Sequence, residues 1–174
     1  MIETSKPLKV EQFESDAYKT VSDRLIGNTG RVQLADNTVF LEEGVQLDSL
    51  SQPLRVESEQ AVWDVEAQLV TIDTPVNINQ PEEKVSATAN KARLELDNQV
   101  VYLTGNVRAI GEEKDSRLAA DAVTWQIETQ QVEATGNVRY EQAVDPEISM
   151  SGDKAVGNIA AGTVVVTGGE SGDV

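Results

Sequence analysis

Three pairs of adjacent carboxylates, Glu42–Glu43, Glu82–Glu83 and Glu112–Glu113, come nearest in this sequence to catalytic chemistry. Two carboxyl groups flanking one glycosidic bond, about 5 to 10 Å apart, can serve as acid and base or as acid and nucleophile. Adjacent residues on a strand point to opposite faces of a sheet, so such a pair does not converge on one bond. In a loop the same pair is solvated charge. The sequence contains neither histidine nor cysteine, which removes the commonest general base, the commonest metal ligand and any thiolate nucleophile. No EF-hand spacing of acidic residues occurs. The expectation is a protein that is not an enzyme and uses no cofactor and no metal.

The residues that do recur at fixed spacing are apolar. The string TGNVR occupies residues 104–108 and returns at 135–139, which sets Gly105 and Gly136 31 positions apart. A structural repeat carries its apolar positions along at the same interval. Rows of 31 residues give one column of Val32, Trp63, Leu94 and Trp125, and another, two places on, of Leu34, Val65, Leu96 and Ile127. Gln33, Asp64, Glu95 and Gln126 stand between them. This apolar, polar, apolar alternation is the period of a half-buried strand.

After a short polar break the alternation resumes with Val39, Val70, Val101 and Val132, then Leu41, Ile72, Leu103 and Ala134. Beyond a second break come Val45, Val76, Val107 and Val138, followed by Leu47, Ile78, Ala109 and Tyr140. Asp36–Asn37, Asp97–Asn98 and Thr129–Gln130 read as turns between strands, and Gly105–Asn106 and Gly136–Asn137 supply positive φ at a second turn. Each unit is therefore two to three short strands. One inserted residue places Ile159, Val164 and Val166 in a fifth, degenerate unit, as end units of repeat arrays often are.

The composition agrees. Hydrophobic residues are 39% of the chain but aromatics only 4%, so a core must be built from Val, Leu, Ile and Ala, a mixture that favours strands. A net charge of -16 and a pI near 4.2 argue against nucleic acid, whose binding depends on Lys and Arg neutralising phosphates. The longest apolar runs, such as Val164–Val165–Val166, fall far short of the about 20 residues that span a bilayer. The opening MIETSKPLKVEQ lacks the basic and then apolar regions of a signal peptide.

Two or three strands alone cannot bury an apolar face, so the units must stack. The expected fold is all-β: an elongated, twisted β-jelly roll or solenoid-like sandwich of roughly 31-residue repeats. It occupies residues 29–167, between an N-terminal extension, 1–28, and a flexible tail, 168–174. Within the extension Val10, Phe13, Ala17, Val21 and Leu25 have near-helical spacing, while SDRLIGNTGR reads equally well as an extra hairpin; both readings stay open.

The segment KARLELDNQVVYLTGNVRA, followed by LAADAVTWQIETQQVEATGNVRY, resembles the repeat of the OstA-like lipopolysaccharide transport family, whose members are LptA-like or LptC-like. The resemblance covers about residues 30–140 and weakens through 166; in the first two rows EEGV and TPV stand where the family pattern has GNV. It implies a periplasmic carrier or bridge that shields the acyl chains of lipopolysaccharide between inner and outer membrane. It implies as partners lipopolysaccharide, the inner-membrane ABC transporter complex and a neighbouring Lpt protein joined through sheet edges; edges of this kind also allow a homo-oligomer. The stretch before the repeats favours an LptC-like role, anchored in the inner membrane by a segment absent from this sequence, over an LptA-like one. The lipid groove it implies would be lined by the inward columns: Val32, Leu34, Val39, Leu41, Trp63, Val65, Val70, Ile72, Leu94, Leu96, Val101, Leu103, Val107, Trp125, Ile127, Val132 and Val138. For any one Val or Leu the competing reading is a closed core, and for Trp63 and Trp125 it is core packing. A ligand-free β-repeat scaffold or adhesin segment is the alternative for the whole chain.

Overall fold

The computed structural model describes residues 2–4, 6–13, 21–49, 53–144 and 146–168. Every regular element among them is a strand: β1 (Ile2–Thr4), β2 (Leu8–Phe13), β3 (Val21–Gly27), β4 (Thr29–Gln33), β5 (Thr38–Ser49), β6 (Leu54–Asp64), β7 (Leu69–Ile72), β8 (Val76–Gln80), β9 (Val85–Ala89), β10 (Lys91–Glu95), β11 (Val100–Gly111), β12 (Ser116–Gln126), β13 (Gln131–Gln142), β14 (Ile148–Asn158) and β15 (Thr163–Thr167). All pairings are antiparallel and link the strands into one 15-stranded sheet. The all-β expectation holds.

The long strands change direction midway. Glu42 pairs with Gln60 and Val45 with Ser58, which leaves Glu43 and Gly44 opposite Glu59 alone. Gly105–Asn106 faces Asp121 in the same way, and Gly136–Asn137 faces Asp153. Two residues against one is a β-bulge, which bends its strand and increases the local twist. The bulge residues have positive φ, 79° and 49° at Gly105 and Asn106 and 75° and 49° at Gly136 and Asn137. The expected second turn at these Gly–Asn pairs is therefore a bend within β11 and within β13; the chain does not reverse there.

These bends divide the sheet into two layers. The first contains β4, β7, β10, β15 and the adjoining halves of β5, β6, β11, β12, β13 and β14; the second contains β2, β3, β8, β9 and the other halves of the long strands. Apolar columns from both layers turn inward into one core, with Leu41, Trp63 and Val70 from the first and Leu47, Val56 and Ile78 from the second all buried.

The turns of the first layer are stacked by backbone hydrogen bonds at the repeat interval. Val65 N–H donates to Asn37 O (3.0 Å), and Leu96, Ile127 and Ile159 donate to Gln68, Gln99 and Gln130 (2.9 Å each). The acceptor residues take positive φ, from 49° at Asn37 to 57° at Gln130. That conformation costs roughly 1 to 2 kcal/mol in a residue with a Cβ, and the cost is offset by satisfying a backbone donor in the next unit. The Gln68 and Gln130 side chains add a bond from Nε2 to the carbonyl three residues back, at 2.6 and 2.7 Å.

At the N-terminal end, Leu8–Phe13 and Val21–Gly27 are strands, so the helical reading of Val10, Phe13, Val21 and Leu25 gives way to β-structure; Ala17 lies outside the described residues. The near-helical spacing spans two strands: Val10 sits directly opposite Leu25 and Phe13 opposite Val21. The hairpin alternative is corrected too, because β3 and β4 do not pair with each other. Both lie along β5 as two halves of one interrupted strand. The ladder thus already includes residues before 29. Of the expected tail, residues 169–174 lie outside the described residues.

Candidate functional site

Between the two layers, in the C-terminal half, lies an apolar cavity of about 200 Å³. The first layer contributes Leu103, Val123, Trp125, Val132, Ala134 and Ala155; the second contributes Val85, Ala87, Val107, Ala109, Leu118 and Tyr140. The space exists because the repeat columns carry smaller residues here. Ala134 stands in the column of Leu41, Ile72 and Leu103, Ala109 in that of Leu47 and Ile78, and Ser116 in that of Leu54 and Val85. The rim is formed by the β11–β12 turn with Glu113 and Lys114, by Glu83 of the β8–β9 turn, and by the β14–β15 turn with Ala160 and Gly162.

The structure divides the expected lining residues into groups. Leu103, Val107, Trp125 and Val132 line the cavity. Leu94, Leu96, Val101 and Ile127 line a separate recess of about 30 Å³ beside Asp23, too small for an acyl chain. Val39, Leu41, Trp63, Val70, Ile72 and Val138 are buried in closed core, and Val32 and Val65 pack half-buried against it; none of these eight lines the cavity. Leu34 is corrected outright, being 63% exposed. Its column mates Val65, Leu96 and Ile127 each sit on a turn bonded to the turn one unit earlier, whereas among the described residues no earlier turn is bonded to the turn that carries Leu34. Eight wall residues were outside the expected set: Val85, Ala87, Ala109, Leu118, Val123, Ala134, Tyr140 and Ala155. Falling side-chain volume down a column was the available signal for Ala134, whereas the column of Ala109 dips there and rises again at Tyr140.

The two tryptophans separate. Trp63 is 1% exposed within closed core, while Trp125, 2% exposed, forms part of the cavity wall. Neither indole N–H has a hydrogen-bond partner, so each contributes packing area and no polar anchor.

The carboxylate pairs do not converge. Glu43 sits in the β5 bulge and Glu42 beside it in register with Gln60, Glu82–Glu83 and Glu112–Glu113 lie in separate turns, and of the six only Glu83 and Glu113 reach the cavity rim. Glu113 Oε1 lies 3.3 Å from Lys84 Nζ in an exposed ion pair. Among the described residues no group of three Asp or Glu is arranged to hold a metal ion. Among the described residues the two groups with displaced pKa values lie away from the cavity: hydrogen bonds from Lys9 and Arg24 hold Glu11 below the usual carboxylate range, and a hydrogen bond to Asp48 raises Arg55. The arrangement offers an oily wall and a polar rim, which suits partitioning of an apolar chain.

The family model described as lipopolysaccharide-assembly, LptC-related, matches residues 79–169, the stretch that contains every residue of the cavity wall. In structure the chain is similar to the crystal structure of LptH, the LptA-homologous periplasmic component of the conserved lipopolysaccharide transport device from Pseudomonas aeruginosa. The TM-score is 0.60 at 17% identity, covering 71% of this chain and 88% of that one. In sequence, no curated protein matches the chain.

Proposed function

Because the chain belongs to the LptC-related lipopolysaccharide-assembly family, we propose that it is a non-catalytic periplasmic carrier in which the cavity between the two layers takes up an acyl chain of lipopolysaccharide. The observation that carries this reading is the coincidence of the apolar cavity with the family-matched stretch. Each buried methylene contributes about 0.8 kcal/mol, so a chain can be held without any polar contact and released without chemistry. In this reading the carrier is LptC-like in preference to LptA-like, is held at the inner membrane beside the ABC transporter, and passes lipid to a neighbouring Lpt protein across its sheet edges. The second reading, a ligand-free scaffold, keeps the hollow as a packing defect.

A photo-crosslinker at Val132, in the cavity wall, should label lipopolysaccharide in a periplasmic extract, and one at Val39, in closed core, should not. Equal labelling at both positions, or none at Val132, would remove the carrier reading and leave the scaffold.

A further inference from the structure

Lys114 stands in the turn between β11 and β12, in the second layer, and lines the cavity rim. Gly162 stands in the turn between β14 and β15, in the first layer, with φ +61°, and a Cβ placed on it would lie 3.0 Å from Lys114 Nζ. The lysine amine therefore reaches across the rim from one layer to the other. Three charged side chains occupy this rim, Glu83, Glu113 and Lys114. Glu113 is already paired with Lys84; among the described residues neither Lys114 nor Glu83 has an ion-pair partner. Against a chain of net charge -16, an unpaired cation at the mouth of an apolar cavity is not required by the fold. The repulsion from distant carboxylates is screened beyond about 8 to 10 Å at ordinary ionic strength, which leaves the local groups to decide what binds there.

Resting on the carrier reading, we propose that Lys114 recognises the head of the cavity's occupant, and that this occupant is an amphiphile with one alkyl tail inside and an anionic group at the rim. The tail count follows from volume. An engineered apolar cavity of about 150 Å³ holds a single benzene, so about 200 Å³ takes part of one chain and not several side by side. The sign of the head follows from Lys114 as the unpaired donor at the rim. Glu83 opposes it, so the preference is modest and its removal sharpens it.

The test uses the whole chain carrying Trp63→Phe, in which Trp125 is the one indole and sits in the cavity wall. Its fluorescence is titrated with lauryl phosphate, laurate, lauryl maltoside and lauryl trimethylammonium, each below its micellar concentration, and calorimetry on the unmutated chain repeats the titrations. The two anions should bind about two- to five-fold more tightly than the maltoside, the range an exposed ion pair supplies. The difference should shrink at about 1 M salt, where the screening length is about 3 Å. Lys114→Gln should abolish the preference with the maltoside affinity unchanged, and Glu83→Gln should widen it. Phosphate and laurate binding alike identifies anionic charge as the recognised feature; a preference for one of them names that oxyanion. Equal affinity for all four heads, a preference for the cation, or a preference that survives Lys114→Gln would overturn the proposal. Absence of binding by every lauryl amphiphile would overturn it as well, while the Val132 crosslink to lipopolysaccharide reports on the carrier reading independently.

Discussion

The N-terminal units and the C-terminal units of this molecule share one backbone plan and differ in what fills it. In the first, Leu41, Leu47, Val56 and Trp63 close the space between the layers and are at most 2% exposed. In the second, Ala134, Ala109 and Ser116 occupy columns that hold Leu or Ile earlier in the chain, and a cavity of about 200 Å³ opens. At about 24 cal/mol per Å³, such a hollow corresponds to roughly 5 kcal/mol of forgone packing if it were sealed and dry, and less with water at its open rim. The difference lies in the side chains: Leu and Trp fill the interior of the first units, while Ala and Ser leave it open in the last. Capacity for a ligand can therefore arise by shortening side chains, with no change of fold.

The tryptophans offer the largest break of that comparison. Trp63→Ala should cost about 3 to 5 kcal/mol, the usual range for a fully packed indole. Trp125→Ala should cost less, at the lower edge of that range or below it, because one side of the ring already borders open space. Urea midpoints with unchanged m-values measure both, and equal losses would mean that the two interiors are packed alike.

A smaller effect separates the bulges. At Gly136, φ is +75° and an added Cβ would meet Asp121 at under 3 Å, whereas at Gly44, φ +86°, the nearest atom would be Asn28 Nδ2 at 3.5 Å. Either glycine changed to Ala bears the left-handed conformation, roughly 1 to 2 kcal/mol. Gly136→Ala should lose additional stability from the collision, and thermal unfolding of the two variants side by side tests it.

The smallest stability change is expected from refilling the hollow. Ala134→Leu restores the residue type of Leu41 and Leu103 and should leave stability within about 1 kcal/mol of the parent, or raise it, while lowering uptake of an alkyl probe. A loss of about 1 to 3 kcal/mol, the mark of overpacking, would show that the space is already taken.

Much of this architecture is legible in the sequence because strand alternation and the repeat interval are local signals. Val70, Val101 and Leu103 are buried where alternation puts them. Three features escape for physical reasons. Gly105–Asn106 supplies positive φ, which a tight turn and a bulge require alike, so the residues cannot say whether the chain reverses. Leu34 satisfies the alternation, yet its column mates sit on turns bonded to a preceding turn, and among the described residues the turn of Leu34 has no such bond. The cavity depends on how neighbouring columns add up in volume across two layers, so Val101 and Val107 look equivalent in sequence, while one borders a recess near Asp23 and the other the large hollow. The paired N-terminal strands escape because their short ladder imitates helical spacing.

The stacked turns carry a consequence for chain length. Since the carbonyls of Asn37, Gln68, Gln99 and Gln130 each receive the amide of the following turn, the molecule behaves as a ruler graduated every 31 residues along most of its length. Excising one whole graduation rejoins donor to acceptor and yields a shorter protein of the same cross-section. Excising any other number puts inward side chains out of step with their neighbours, so the length of the stack is adjustable only in whole increments.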